Sequence, residues 1–405
     1  MQTWLTSDIR RTREGQEADR ILRSCTHCGF CLATCPTYQL LGNELDSPRG
    51  RIYLIKQVLE GQAPTARTQL HLDRCLTCRA CETTCPSGVE YGKLVDIGRE
   101  LVEEQVSRRD QRIRRWALRT LLPRPALFSA LLRAGQMVRP LVPAGLREKI
   151  PHRRRAPPWP AEHRHARSVL MLEGCVQPAL EPAINPITAR LLDALGIRVI
   201  RTPASRCCGA IDQHLGYTYE AGVHVRRNID AWWPYLAEGV EAIVINASGC
   251  GVQVKDYAYL LANDPDYAHK ARLISELAAD PVELLLREEE RLRPADNAPR
   301  RVAFQSPCTL QHGQKLGGRA EGLLTRLGFE LTPVADAHLC CGSAGTYSVL
   351  QPRLARQLRA DKLDNLQAGD PELIATANIG CLTHLNARSE VPVRHWLELL
   401  DVREK

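Results

Sequence analysis

The string CTHCGFCLATCP, Cys25 to Pro36, recurs almost letter for letter as CLTCRACETTCP, Cys75 to Pro86. Both fit C-x2-C-x2-C-x3-C-P, and no other feature limits so tightly what this chain can fold into. Three cysteines that close together wrap three corners of a cube in one turn of irregular chain. A [4Fe–4S] cluster is such a cube, taking four thiolates from different directions. Zinc is the usual alternative for C-x2-C pairs. Its tetrahedron is built from two pairs and has no use for the third cysteine or the closing Cys-Pro.

In two-cluster ferredoxins the cysteine before the proline ligates the other cluster. The expected ligand sets are therefore crossed. One cluster takes Cys25, Cys28, Cys31 and Cys85; the other takes Cys75, Cys78, Cys81 and Cys35. Two clusters held this way lie close together and relay an electron. Gly29 and Gly88 are expected to let backbone approach a cluster closely.

The chain has 16 cysteines in 405 residues, and MQTWLTSDIRRTREGQEADRILRS at its start has no apolar core of a signal peptide. A reducing cytoplasm is expected, where dense cysteines mean metal or redox chemistry rather than disulfides. No apolar run is long enough to span a bilayer. Aromatic residues make up only 5%, which argues against a base-stacking nucleic-acid binder. The net charge of +8 is concentrated in RRDQRIRRWALR (Arg108 to Arg119) and RRRAPPWPAEHRHAR (Arg153 to Arg167). Such runs suit a solvated surface and linker, or a peripheral contact with an acidic partner or anionic lipid heads.

Three regions separate by pattern. Residues 15–104 read as a helical domain carrying the two cysteine strings. Its clearest helix is SPRGRIYLIKQVLEG, with Ser47 as N-cap, Pro48 at the first position, an apolar stripe through Ile52, Ile55, Val58 and Leu59, and Gly61 as the stop. Residues 105–166 read as an Arg- and Pro-rich helical linker. The remainder is an internal repeat, 167–290 and 299–402, in which short apolar strands alternate with helices.

The repeat is set by cysteine spacing. Cys175 to Cys207 and Cys308 to Cys340 are both 32 positions apart, while Cys208 to Cys250 is 42 and Cys341 to Cys381 is 40. Each copy thus reads C…CCG…C, and each cysteine follows a predicted strand. Ligands in open α/β sheets bind beyond the carboxyl ends of strands. Cys175, Cys207, Cys208 and Cys250, with Cys308, Cys340, Cys341 and Cys381, are candidate ligands for further clusters or a thiol-redox site. Adjacent cysteines rarely bridge one another comfortably, so no disulfide is expected within either pair.

The two strings, with RNIDAWWP, HLCCGSAGTYSVL and TANIGCLTHL, resemble the glycolate oxidase (glycolate dehydrogenase) iron–sulfur subunit family over essentially the whole chain. The resemblance implies a multidomain protein: an α-helical ferredoxin-like domain followed by two α/β cysteine-rich (CCG) domains. It implies two [4Fe–4S] clusters, and flavin-containing glycolate dehydrogenase subunits as partners. Glycolate would be oxidised to glyoxylate on those partners, and electrons would pass to an acceptor such as a quinone at the inner face of the cytoplasmic membrane. In the related heterodisulfide reductase subunit each repeat ends C-x-x-C. Here Gln253 and His384 stand where the last cysteine would be.

Neither G-x-G-x-x-G after a strand nor G-x-x-x-x-G-K-[ST] occurs, so no flavin or NAD is expected on this chain and no catalytic residue stands out. Substrate chemistry then belongs to another subunit's flavin. The same cysteine plan also suits the iron–sulfur subunit of an anaerobic glycerol-3-phosphate or L-lactate dehydrogenase. A thiol redox enzyme like heterodisulfide reductase is the alternative of another class.

Overall fold

A computed structural model describes residues 1–106, 109–141, 143, 150–161, 163 and 165–403. Arg108 and Arg164 of the basic runs, and Val142, Ala144 and Gly145 of the proline-rich stretch, lie outside the described residues. The chain forms two units. The first comprises Met1–Leu118, Ile211–Thr218 and His338–Lys362; the second comprises Arg119–Ala210, Tyr219–Ala337 and Leu363–Lys405.

In the first unit the described residues before 107 form helices and turns without a strand. Ser47 accepts the Gly50 amide at 2.9 Å, and Pro48, whose missing N–H is no loss in a first turn, starts the helix Pro48–Leu59. Its stripe of Ile52, Ile55, Val58 and Leu59 packs with Ile21 and Leu22 of helix Arg13–Ser24 and with Leu94, Val95 and Val102 of helix Tyr91–Gln105. Gly98 permits the close approach, since a Cβ there would lie 2.6 Å from Ile55 Cγ1. Arg115, from the first basic run, is buried here and pairs with Asp73 at 2.6 Å and Glu103 at 2.9 Å.

The second unit holds two four-stranded parallel sheets with the same strand order. In the first copy β1 (Arg167–Met171), β2 (Ile197–Arg201), β3 (Ile243–Val244) and β4 (Ala278–Ala279) lie in the order β2-β1-β3-β4. After an antiparallel partner strand, β5 (Leu292–Pro294), the second copy has β6 (Arg301–Gln305), β7 (Glu330–Leu331), β8 (Leu373–Thr376) and β9 (Val393–His395) as β7-β6-β8-β9. The terminal strand β10 (Leu400–Val402) pairs with β5, closing the second copy back onto the connection between the two.

One core joins Val169, Leu192 and Val244 of the first copy to Val302, Phe304, Leu323 and Trp396 of the second. A buried polar contact crosses the same boundary: His395 Nε2 lies 2.9 Å from the Asn246 carbonyl and donates to it. In each sheet the chain runs from the central strand to one neighbour and then crosses to the other side. The switch point therefore lies at the carboxyl ends of β1 and β3, or of β6 and β8.

Candidate iron–sulfur sites

Both cysteine strings leave the end of a helix in the same way. The Cys25 amide donates to Leu22 O at 3.2 Å after helix Arg13–Ser24, and the Cys75 amide to Leu72 O at 3.1 Å after helix Ala66–Asp73. Two left-handed residues follow at matching places. They are His27 (φ 60°) and Gly29 (φ 87°) in the first string, Thr77 (φ 52°) and Arg79 (φ 59°) in the second.

Left-handed backbone costs a non-glycine residue about 1–2 kcal/mol. The turn has a compensating contact: the Thr77 amide points at Cys75 Sγ at 3.4 Å, and the His27 amide bonds Cys25 in the same way. Arg79 shows that the turn does not require glycine. Gly88 (φ 62°) has the same left-handed backbone, which glycine adopts at no steric cost.

Cys25, Cys28, Cys31 and Cys85 line one cavity, together with the edge of Cys81. Backbone amides converge on its sulfurs, from Phe30 to Cys28 and from Arg49 to Cys31. The exposed Cys28 thiol is held below its ordinary value by the Phe30 amide and the Thr26 hydroxyl. Burial pushes Cys31 up to about 11 despite the Arg49 amide. Thiols buried like this ionise when a cation arrives, which suits a metal cluster better than a free thiolate.

A second group abuts the first. Cys81, fully enclosed and pushed well up by burial, interacts with Cys78, Cys75 and Cys35. Cys35 sits at the start of helix Pro36–Leu41, with its Sγ 3.3 Å from Thr37 Oγ1. Arg99 braces the second string from beneath, donating to Cys75 O at 2.7 Å, Leu72 O at 3.0 Å and Thr77 Oγ1 at 2.8 Å. The fourth cysteine of each string thus lies among the first three of the other.

In the first repeat copy the structure brings together Cys175 after β1, Cys207 and Cys208 after β2, and Cys250 in helix Ser248–Lys255 after β3. Cys175 is hydrogen-bonded to Cys207, Cys207 to Cys208, and Cys208 to Cys250. The bond to Cys207, with burial, pushes the Cys175 thiol well up. Asn228 Nδ2 donates to Cys207 O at 2.9 Å, and Tyr257 Oη donates to Cys208 O at 2.9 Å. The two side chains also bond each other at 3.0 Å. Gln253, at the fifth-cysteine position, is buried with its Nε2 unpaired.

In the second copy Cys308 follows β6 and opens the turn Thr309–Gly313, and Cys381 lies in helix Ile379–Asn386 after β8. Both belong to the second unit, whereas Cys340 and Cys341 belong to the His338–Lys362 segment of the first. His384 is half-buried in the helix that carries Cys381. None of the sixteen cysteines forms a disulfide.

Sequence reasoning missed Asn228, Tyr257 and Arg51. Asn228 has a faint signal, as the polar residue on the buried stripe of RNIDAWWP beside Ile229 and Trp232. Arg51 also had one, standing four residues before Ile55 on an apolar stripe. Tyr257 had none.

Two abutting groups of four thiols on a helical unit, with cysteines gathered at strand ends of a repeated α/β unit, define an iron–sulfur protein. Residues 21–89 match the family model described as 4Fe-4S dicluster domain, and residues 169–255 and 302–386 match the one described as Cysteine-rich domain. The chain is 57% identical to the glycolate oxidase iron–sulfur subunit of Escherichia coli K12, over 99% of this chain and 98% of that protein. It is 30% identical to the probable glycolate oxidase iron–sulfur subunit of Bacillus subtilis 168, over 90% of this chain and 88% of that one. Lactate utilization protein A of Geobacillus thermodenitrificans is 27% identical over 54% of this chain and 92% of its own. This chain belongs to the family of glycolate oxidase iron–sulfur subunits.

Proposed function

We propose that this chain is the electron-transfer subunit of a glycolate-oxidising complex. The observation that carries the reading is the pair of abutting four-thiol groups, in a chain similar along its whole length to glycolate oxidase iron–sulfur subunits. Cys25, Cys28, Cys31 and Cys85 hold one [4Fe–4S] cluster, and Cys75, Cys78, Cys81 and Cys35 hold the other. Each cluster supplies one-electron storage when bound. The chain positions the sulfurs, directs amides at them and keeps water from most of them.

The first-copy cysteines, Cys175, Cys207, Cys208 and Cys250, fit a further cluster, and Cys308, Cys340, Cys341 and Cys381 are the corresponding set. Glycolate is oxidised to glyoxylate on a flavin-containing partner subunit, and the electrons leave singly toward an acceptor such as a quinone. No described helix is long and apolar enough to cross a membrane. Exposed Ile113 and Trp116 beside Arg112 and Arg114 support a peripheral contact with an acidic surface.

The test is anaerobic purification with the flavoproteins that accompany the chain. Glycolate should reduce the clusters only when a flavoprotein is present. Iron should reach about eight atoms per chain with the N-terminal groups alone, and more if the repeats are loaded. Stoichiometric zinc without iron, or glycolate oxidation by the isolated chain, would refute the reading.

A further inference from the structure

Arg51 is 1% exposed and polar partners enclose it. Its Nε donates to His71 O at 2.7 Å and its Nη2 to Thr37 Oγ1 at 3.1 Å, while Nη1 lies 4.0 Å from Cys35 Sγ. Cys75 and the Tyr91 hydroxyl also fall within its electrostatic reach. Asp46 Oδ1 is 3.6 Å away, yet that buried carboxylate is shared: Arg74 Nη1 bonds it at 2.9 Å and His71 Nδ1 at 3.0 Å. Two guanidinium groups against one carboxylate leave net positive charge beside Cys35 and Cys75.

Among the described residues, the other thiol group has no such buried cation. The guanidinium that lines its cavity, Arg49, is 30% exposed and paired with Glu44 at 2.8 Å. The Met1 amino group, bonded to Cys25 O at 2.7 Å, is only partly buried. Solvent weakens the field of both and Glu44 that of Arg49, whereas a charge away from water acts through a lower dielectric.

We propose that Arg51 makes the site of Cys35, Cys75, Cys78 and Cys81 the electron-accepting end of the pair. The inference rests on the cluster assignment proposed above. One-electron reduction adds one negative charge at a site, so the site beside a buried cation holds the electron more tightly. The transfer is a single electron: the site of Cys25, Cys28, Cys31 and Cys85 is oxidised by one and its neighbour reduced by one. Arg51 keeps its proton throughout, and no bond is made or broken.

The accepting end is also the one that faces onward. Tyr347 is 5% exposed, its hydroxyl makes no hydrogen bond, and it interacts with Arg51, Cys340 and Cys75. All four residues belong to the first unit. Cys75 and Cys340 of the second CCG motif thus both lie within electrostatic reach of one buried side chain, Tyr347.

The test is potentiometry followed by electron paramagnetic resonance on the full chain, reconstituted anaerobically with iron and sulfide. Cys28→Ser and Cys78→Ser identify the two signals, because neither residue's string is affected by whether the fourth ligands cross. The higher-potential signal should be the one Cys78→Ser alters; if Cys28→Ser alters it instead, the proposal is overturned. Arg51→Met should weaken electron binding at that site alone by about tenfold, which is about 59 mV for one electron. Arg51→Lys should recover part of the shift. An unchanged potential, or an equal fall at both sites, overturns the proposal. Should Arg51→Met fail to fold, the order of the two signals in the unmutated chain decides. Failure of the unmutated chain to take up iron would sink the cluster reading itself, and this inference with it.

Discussion

Cys25 and Cys85, sixty residues apart in the chain, line the same cavity. The helices between them bring the end of the second string to the start of the first, and Cys35 makes the reciprocal visit to Cys75 and Cys81.

Crossed ligation predicts crossed damage. Cys85→Ser should alter the resonance signal that Cys28→Ser alters, and Cys35→Ser the one that Cys78→Ser alters. If each instead damages the cluster of its own string, the assignment is wrong. The readout is the low-temperature spectrum of dithionite-reduced, reconstituted chain.

The third letter of each CCG motif should resist substitution. Gly209 has φ 95° and Gly342 φ 85°, where a side chain is strained whatever the space. A Cβ at 209 would lie 3.1 Å from Ala221 O, and one at 342 would lie 2.8 Å from Ala355 O. Gly209→Ala should therefore cost about 1–2 kcal/mol for the backbone conformation alone. Gly342→Ala should cost more, because a carbonyl must move. Denaturant titration of the two variants would show their order, and equal or negligible losses would contradict it.

Asn228 holds the first CCG motif by three bonds. Its Oδ1 accepts the Arg206 amide at 3.0 Å while its Nδ2 serves Cys207 O and Tyr257 Oη. Asn228→Ala leaves buried polar groups unpaired, at about 1–3 kcal/mol for each. A destabilisation of about 2–4 kcal/mol is expected, with Tyr257→Phe costing less, about 1–2 kcal/mol. If iron beyond the N-terminal eight is bound, Asn228→Ala should lose it first. Iron analysis of the variant beside the unmutated chain checks this.

His395 gives the second unit a dependence on acid. Burial lowers its pKa to about 4, although its bond to the Asn246 carbonyl acts the other way. An unfolded chain binds that proton near the ordinary value of 6.5, so between pH 6.5 and 4 the unfolded state holds more protons. Stability from this residue is complete above 6.5 and lost as pH falls, by about 2 kcal/mol at pH 5. Burial pushes Glu181 and Asp280 each up to about 7, and they act in the opposite sense. The informative quantity is therefore a difference. His395→Gln should be less stable than the unmutated chain at pH 7, and the gap should narrow by pH 5. A gap that stays constant with pH would refute the neutral buried imidazole.

What the sequence determined by itself was whatever follows from short covalent spacing. Ser47 and Pro48 start a helix because cap and first turn are neighbours in the chain. The doubled interval of 32 residues between cysteines implies two copies of one unit, and both copies have the same strand order. Strands of five residues such as β1 and β6 show their pattern, whereas β4, with two residues, has too few for a period to exist.

Tertiary structure decided which side chains meet across long intervals. Asn228 clasps Cys207, Tyr257 clasps Cys208, and Arg51 stands against Cys35 only after helices have packed. The close passage of Gly98 over Ile55 is one of the contacts that fix that packing. A buried charge acts over a few ångströms in a medium that folding creates. Its effect on a thiol sixteen residues away in the chain, or on Cys75 from the other string, therefore has no counterpart in spacing or composition.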